Sequence, residues 1–225
     1  AYAIMMYPVG LIAQPISFIN LPLLASVQKQ PNKIKKYGLF IFESTAFVAF
    51  PFMGWLLSSR ESFILLQLGP RWAAVSSVFA ILAIGGIFRT FIFIMDHFYV
   101  ARDKTDLQFK ISFFNAMVIG LAFFIGIAWG IHGVAIAFSL SYGLAFMVHL
   151  FFLSRIIHAS LNDIILCLIK PLAAASLMYS IQLVIIHLSH QKSWHPLIEL
   201  VVAFFICSVV YISISAIINR HFLQK

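Results

Sequence analysis

Charged residues are scarce in this sequence of 225 residues, since Asp, Glu, Lys and Arg make up 10% of it and hydrophobic residues 62%. A soluble domain carries about 25% charged residues, because its surface must be hydrated. The mean hydropathy of +1.01 is likewise far outside the range of a soluble domain. The composition therefore excludes a soluble globular protein and predicts an integral membrane protein.

Cysteines and acidic residues are few as well, with two Cys and seven Asp and Glu in all. Cys167 and Cys207 lie at the end and in the middle of apolar runs, so we interpret both as small apolar side chains and predict no disulfide. No HExxH, GxSxG, P-loop or Rossmann glycine pattern is present, and the acids are too dispersed for a catalytic pair. We predict no catalytic residue and no cofactor.

The sequence also argues against a metal site and against a nucleic-acid interface. His187, His190 and His195 surround one loop, but an HxxH pattern without a third ligand at fixed helical spacing is weak, and we predict no metal site. The 15 Lys and Arg are scattered at the ends of apolar runs and form no continuous basic face, which argues against nucleic acid as a partner.

The sequence consists mainly of long apolar runs separated by short polar connections. Such runs cross a bilayer as helices, whereas membrane barrels show short alternating strands. We therefore predict an all-α polytopic bundle of about seven spans, near residues 2–24, 37–57, 72–100, 109–129, 134–153, 164–188 and 197–218. The first residues are apolar and include no initiating Met, so we expect the chain to begin inside a helix of a longer protein.

Lys and Arg residues are divided unevenly between the two sides of seven alternating spans. Eleven fall on one side and three on the other. The positive-inside rule places the eleven in the cytoplasm. This predicts a periplasmic N-terminal end and a cytoplasmic C-terminus.

The first two spans contain prolines and isolated polar groups. Pro8, Pro15 and Pro22 recur every seven residues, which puts them on one face and predicts a bent or broken helix. The polar side chains of this span, Gln14 and Asn20, contact either neighbouring helices or a ligand.

The second span contains Glu43 and Pro51, and Pro51 predicts a further bend. Glu43 lies about 9 Å from the basic end of the span by helical rise. It can therefore meet Lys35, Lys36 or interfacial water, and a role in proton coupling is the alternative.

Arg89 is the most informative residue, because it lies deep inside the apolar run 72–100. Exposure of a charged head to lipid there costs at least about 2.5 kcal/mol, so we expect the head to face protein or a water-filled cavity. It either bonds helix-end carbonyls or an acid on another helix, or attracts an anionic substrate group, since guanidinium binds phosphate bidentately. Asp96, two turns later on nearly the same face, is either an interfacial residue or part of an ion pair or coupling site.

Small residues recur every four positions in the fifth predicted span, at Gly133, Ala137, Ser141 and Ala145. Such a stripe lets another helix approach closely, so we predict a packing role for it. The preceding GIHG sequence predicts a tight turn between the fourth and fifth spans, which then form an antiparallel hairpin.

Four segments, in this order, resemble one family: PVGLIAQPISFINLPLLASVQKQPNKIKK, LGPRWAAVSSVFAILAIGGIFRT, MDHFYVARDKTDLQFK and GIHGVAIAFSLSYG. They resemble bacterial polysaccharide exporters of the Wzx/WzxC type, within the multidrug/oligosaccharidyl-lipid/polysaccharide superfamily. The resemblance covers roughly residues 2–155 and departs from the family at residues 102–104, where a glycine is usual.

The resemblance implies a MATE-like fold, in which two six-helix lobes form a V around a cationic cavity and two helices are added at the C-terminus. Residues 1–155 would then be part of the second lobe and 156–225 the two added helices. Family members flip undecaprenyl-diphosphate-linked oligosaccharide across the bacterial inner membrane by alternating access. The implied partners are that lipid-linked oligosaccharide, membrane lipids and a missing N-terminal half, with Arg89 as a contact for diphosphate or acidic sugar.

Two other classes stay open from the sequence. One is a membrane enzyme of polysaccharide assembly, a polymerase or an acyltransferase, which would need a large outer loop with Arg or His groups. The other is a different seven-helix membrane protein. A retinal protein would need a lysine in the middle of its last helix, and residues 197–218 contain none.

Overall fold

Helices form all the regular structure in the part of the chain that is described. A computed structural model describes residues 10, 14, 15, 18, 22–27, 30–191 and 194–218. The helices are α1 Pro31–Ser58, α2 Arg60–Leu68, α3 Val75–Ala101, α4 Thr105–Gly126, α5 Gly130–Ile156, α6 Leu161–Gln191 and α7 Pro196–Ile218. Short 3-10 turns lie at Pro70–Trp72 and Ile127–Trp129, and these residues include no β-strand. The all-α prediction is confirmed.

The long helices agree with the predicted spans. Segments long and apolar enough to cross a membrane are Asn32–Ser58, Val75–Ala101, Thr105–Ile156, Leu161–Ser189 and Pro196–Ser215. The 52 residues of Thr105–Ile156 contain both α4 and α5, so these segments correspond to the second to seventh predicted spans. Most of the first predicted span lies outside the described residues.

Large apolar side chains cover much of the outside of the bundle. On α4, Phe113, Phe114 and Phe124 are each more than half exposed. Helices satisfy their own backbone hydrogen bonds, so such a surface is compatible with lipid, whereas in water it would aggregate. The chain is therefore a multi-pass membrane protein.

Glycines bring α4 and α5 together at their connecting turn. Gly130 begins α5 with φ at +67°, a left-handed conformation that favours glycine. A Cβ placed on Gly133 would lie 2.2 Å from the carbonyl oxygen of Gly126, and one placed on Gly126 would lie 3.0 Å from the Cβ of Ala137. The predicted hairpin is present, and the first two residues of the small-residue stripe are where its helices approach most closely.

Helices α3 and α5 run parallel and form the most extensive helix pair of the bundle. A Cβ on Gly85 of α3 would lie 2.7 Å from the ring of Phe138 and 2.9 Å from the Cα of Ser139, both on α5. The Ser139 hydroxyl donates a hydrogen bond to the carbonyl of Ile81. This contact fixes the register in which the side chains of α3 meet those of α5.

A polar cap joins α6 to α1 at one end of the bundle. The backbone N–H of Ser160 donates to the Asp163 carboxylate, and the backbone N–H of Asp163 donates to the Ser160 hydroxyl, each at 3.1 Å. Lys35 Nζ of α1 lies 2.8 Å from the same carboxylate. Lys35, one of the two lysines expected to meet Glu43, thus pairs with Asp163, and a contact of Glu43 with either lysine stays a prediction.

The connection between the second and third predicted spans contains helix α2, and buried polar groups anchor this helix to the protein. Glu199 of α7, which is 4% exposed, accepts hydrogen bonds from Ser62 of α2 at 2.7 Å and from Ser189 of α6 at 2.8 Å. At the α1–α2 junction, Gln182 of α6 donates to the Ser59 hydroxyl at 3.0 Å.

The prolines are placed as follows. Pro51 lies inside the continuous helix α1. Pro15 and Pro22 are exposed, and Pro8 lies outside the described residues. Bending of the chain at these four positions stays a prediction, as does the division into residues 1–155 and 156–225.

We predict that Gly85→Ala lowers the thermal unfolding midpoint of the purified protein in detergent, because the added Cβ must push α3 away from the backbone of α5. Overpacking of this kind costs about 1–3 kcal/mol. The matched control is Gly120→Ala on α4, where a Cβ meets nothing within 4 Å, and its midpoint should stay level or rise. Equal midpoints for the two variants would contradict the close approach of α3 and α5.

Candidate functional site

Arg89 lies in the middle of α3, roughly 20 Å from either end at 1.5 Å per residue. Its side chain is partly buried and extends toward α5. The guanidinium donates a hydrogen bond to the Tyr142 hydroxyl, and Cζ lies 5.2 Å from the centroid of the same ring. Tyr142 thus holds the cation in place by a hydrogen bond and by a cation–π contact.

No acid neutralises Arg89 within the described part of the chain. Tyr142 is uncharged, and Asp96 faces a different partner although it lies two turns along the same helix. Three described carboxyl groups lie within 4 Å of a basic side chain, and each faces a residue other than Arg89: Asp163 beside Lys35, Glu61 beside Arg60 and Asp96 beside His149. The guanidinium therefore keeps its positive charge in the middle of an apolar segment, where such a charge is costly unless it has a role.

An apolar groove of about 770 Å³ begins beside Tyr142. Helices α3, α4 and α5 line it, with Leu82, Phe123, Val134 and Phe138 among its wall residues. This volume is within the range of small-molecule sites, about 300–1,000 Å³. Tyr142 lines the groove and also contacts the Arg89 guanidinium, so a cation lies next to an apolar groove. Such an arrangement suits an amphiphile whose anionic head is attached to an apolar chain.

A second polar contact between α3 and α5 lies two turns further along both helices. Asp96 Oδ1 of α3 is 3.9 Å from Nε2 of His149 on α5. The Asp96 side chain is 33% exposed and that of His149 only 2%. The ring of Tyr99 meets the imidazole edge to face, with centroids 5.9 Å apart, and Asn115 of α4 lies within 3.4 Å of Nδ1.

The other residues expected at the site are not gathered around Arg89. Glu43 is partly buried on α1 and lies close enough to Cys167 of α6 to interact with it electrostatically. Gln14 is exposed, and Asn20 lies outside the described residues. A ligand contact of Gln14 or Asn20 and a coupling role of Glu43 or Asp96 stay predictions. The described residues include no group of three His, Cys, Asp or Glu placed to hold a metal ion.

Sequence reasoning did not identify the two partners on α5. His149 could have been selected from the sequence as a candidate site residue, because an ionisable residue inside an apolar span is uncommon and is often functional. Tyr142 could not have been selected in this way, since tyrosine is frequent in membrane helices and its contact with Arg89 depends on the register of α3 against α5.

Comparison with known proteins supports the resemblance to polysaccharide exporters. Residues 1–77 match the family described as "Polysaccharide biosynthesis protein". Over 179 residues the chain is 25% identical to the teichuronic acid biosynthesis protein TuaB of Bacillus subtilis (strain 168), and the match covers 79% of this chain and 37% of that protein.

The fold is that of a solved flippase structure. The chain is similar to the lipid II flippase MurJ in its inward closed conformation, with a TM-score of 0.74 and 18% sequence identity, over 97% of this chain and 45% of that one. The chain thus spans less than half the length of either relative. The resemblance is confirmed to this extent: over part of their length, the chain is similar in sequence to polysaccharide biosynthesis proteins and in fold to a lipid II flippase.

We predict that Arg89→Leu leaves the thermal unfolding midpoint unchanged or raises it, because it removes a charge that no carboxylate of the described residues neutralises. The contrasting variant is Glu199→Leu, which removes the acceptor of two serine hydroxyls. Unsatisfied buried groups cost about 1–3 kcal/mol each, so this midpoint should fall. A fall of similar size for Arg89→Leu would make Arg89 a structural residue.

Proposed function

We propose that this chain is the C-terminal part of a transporter that flips undecaprenyl-diphosphate-linked oligosaccharide from the cytoplasmic to the periplasmic leaflet. The observation that carries the proposal is the uncompensated guanidinium of Arg89 in the middle of α3, beside an apolar groove. The match to the polysaccharide biosynthesis family and the fold shared with a lipid II flippase support it.

The chemistry of such a substrate fits this arrangement. A diphosphate and its hydrated sugars cannot cross hydrocarbon unaided, whereas a polyprenyl chain can stay in an apolar environment. Arg89 would bind the phosphate oxygens through two N–H groups, and Tyr142 would hold the guanidinium plane while leaving its charge unneutralised. The walls of the groove next to Tyr142 would face the first isoprene units.

The rest of the passage would come from an N-terminal half that completes the V-shaped cavity, as in the two-lobed family. The protein would work in the bacterial inner membrane, with the N-terminal end of this chain in the periplasm and the C-terminus in the cytoplasm. The surplus of Lys and Arg on one side of the spans supports this orientation.

Bending at the prolines of the first two spans would accompany alternating access. The partners of the protein would be the lipid-linked oligosaccharide and membrane lipids, and its action would be transport without a chemical reaction.

The test uses the full-length polypeptide that contains this chain, reconstituted in vesicles with a fluorescent undecaprenyl-diphosphate oligosaccharide. We expect Arg89→Gln to reduce flipping at least ten-fold, because the amide cannot replace a charged bidentate donor. Arg89→Lys should retain intermediate activity, since it keeps the charge without the planar fork. Tyr142→Phe should fall between wild type and Arg89→Gln, because only the hydrogen bond is lost.

The matched control is Arg155→Gln. Arg155 stacks over the Phe151 ring at 4.3 Å, near the C-terminal end of α5 and away from the groove. It should flip at the wild-type rate. Wild-type flipping by Arg89→Gln, at equal protein level, would remove Arg89 from the substrate path, and absence of flipping by the wild type would refute the transport proposal itself.

A further inference from the structure

The contact between Asp96 and His149 lacks a hydrogen bond between its two facing atoms. Asp96 Oδ1 and His149 Nε2 face each other at 3.9 Å, and neither atom has a hydrogen-bond partner among the described residues. Both atoms are buried, although one third of the Asp96 side chain as a whole is accessible. Buried polar atoms without partners are uncommon in native proteins, and each needs a physical explanation.

The hydrogen on the other ring nitrogen of His149 explains why the two atoms are unsatisfied. Nδ1 lies 2.9 Å from the carbonyl oxygen of Ala145 on the preceding turn. A carbonyl can only accept, so Nδ1 must carry the hydrogen, and a neutral ring then presents the lone pair of Nε2 to Asp96. With an ionised Asp96, two acceptors face each other and no hydrogen bond can form between them.

One added proton completes the contact. On Nε2 it makes an imidazolium that donates to the carboxylate, and on Oδ1 it makes a carboxylic acid that donates to the ring. Either form replaces repulsion between two lone pairs by a hydrogen bond that draws α3 toward α5. Two ionisable groups in such contact take up and release protons as a unit.

The neighbouring side chains of α3 and α4 are neutral amides or have hydrogen bonds of their own, so the added proton binds to Asp96 or His149. On α3, His97 bonds to the carbonyl of Phe93 on its own helix, and the Tyr99 hydroxyl donates to the backbone carbonyl of His149 at 3.4 Å. From α4, the side chains that meet the pair are the neutral amides of Gln108, which hydrogen-bonds to Asp96, and Asn115.

We propose that Asp96 and His149 form a site that binds one proton, and that uptake and release of this proton alter the α3–α5 contact during transport. The proton would enter through Asp96, whose side chain is partly exposed, and reach the enclosed imidazole from there. Arg89 lies seven residues away on the same helix and packs against the same partner helix, so a change in the α3–α5 contact at Asp96 also acts on the anchoring of Arg89 by Tyr142. The transport part of this proposal rests on the proposed function, whereas proton binding does not.

Proton binding is tested without any substrate, by ¹⁵N NMR of histidine-labelled full-length protein titrated in detergent. The His149 signal is assigned by its loss in His149→Gln. We expect the pH at which His149 titrates to move by about one unit or more in Asp96→Asn, a ten-fold change in proton affinity, because the amide removes the charge beside the ring. Asp163→Asn, a carboxyl away from this site, should leave it in place. A titration of His149 that is identical in wild type and Asp96→Asn would overturn the site.

The link to transport is tested by the pH profile of flipping in reconstituted vesicles. His149→Gln and Asp96→Asn should flatten the wild-type profile. The matched control is His132→Gln, because His132 also lies on α5 against α3, where it shares a hydrogen bond of 3.0 Å with Ser77. It should keep the wild-type profile.

The outcomes separate the two proposals. A wild-type profile in His149→Gln would overturn the transport role of the proton. Absence of flipping by the wild type would refute the proposed function, and the NMR titration would still decide the proton site. If either single variant fails to fold, the pH profile of flipping is measured on the double variant Asp96→Asn/His149→Gln, in which two neutral amides can hydrogen-bond to each other.

Discussion

The parallel packing of α3 against α5 is the constraint on which the rest of the structure depends. Gly85 allows the two backbones to approach until the ring of Phe138 fills the space where a side chain would stand. In that register Arg89 meets Tyr142, and two turns later Asp96 meets His149. A shift of either helix by one residue would rotate these partners apart by about 100°, since a helix has 3.6 residues per turn.

The two contacts differ in how their charge is balanced, and this difference is why we propose different roles for them. Arg89 is held by an uncharged aromatic ring, so its charge remains available to an anion. Asp96 and His149 can neutralise each other, but only with a proton between them. The elements around them serve stability: Glu199 anchors α2 to α6 and α7, and Asp163 joins α6 to α1. These acids have partners that satisfy them, which is why we place them in the scaffold.

The sequence predicts the helices well and the site only in part. Hydropathy indicates six described spans within a few residues, because a bilayer admits little besides a long apolar helix. The close approach at Gly133 was predictable because small residues four apart form one face of a helix. Tyr142 and His149 were not predictable as partners, since their meeting with α3 depends on a tertiary register. Helix α2 was missed because its anchor, Glu199, is 137 residues away from Ser62.

The central claim is our proposal that Arg89, a cation that no acid neutralises within the described residues, binds an anionic head group. The most direct measurement is a cryo-EM structure of the full-length protein with bound undecaprenyl diphosphate. The account predicts phosphate density within hydrogen-bond distance of the Arg89 guanidinium, with Tyr142 still in contact on its other side. A structure in which Arg89 forms an ion pair with a carboxylate from the remainder of the polypeptide, and the phosphate lies elsewhere, would contradict it.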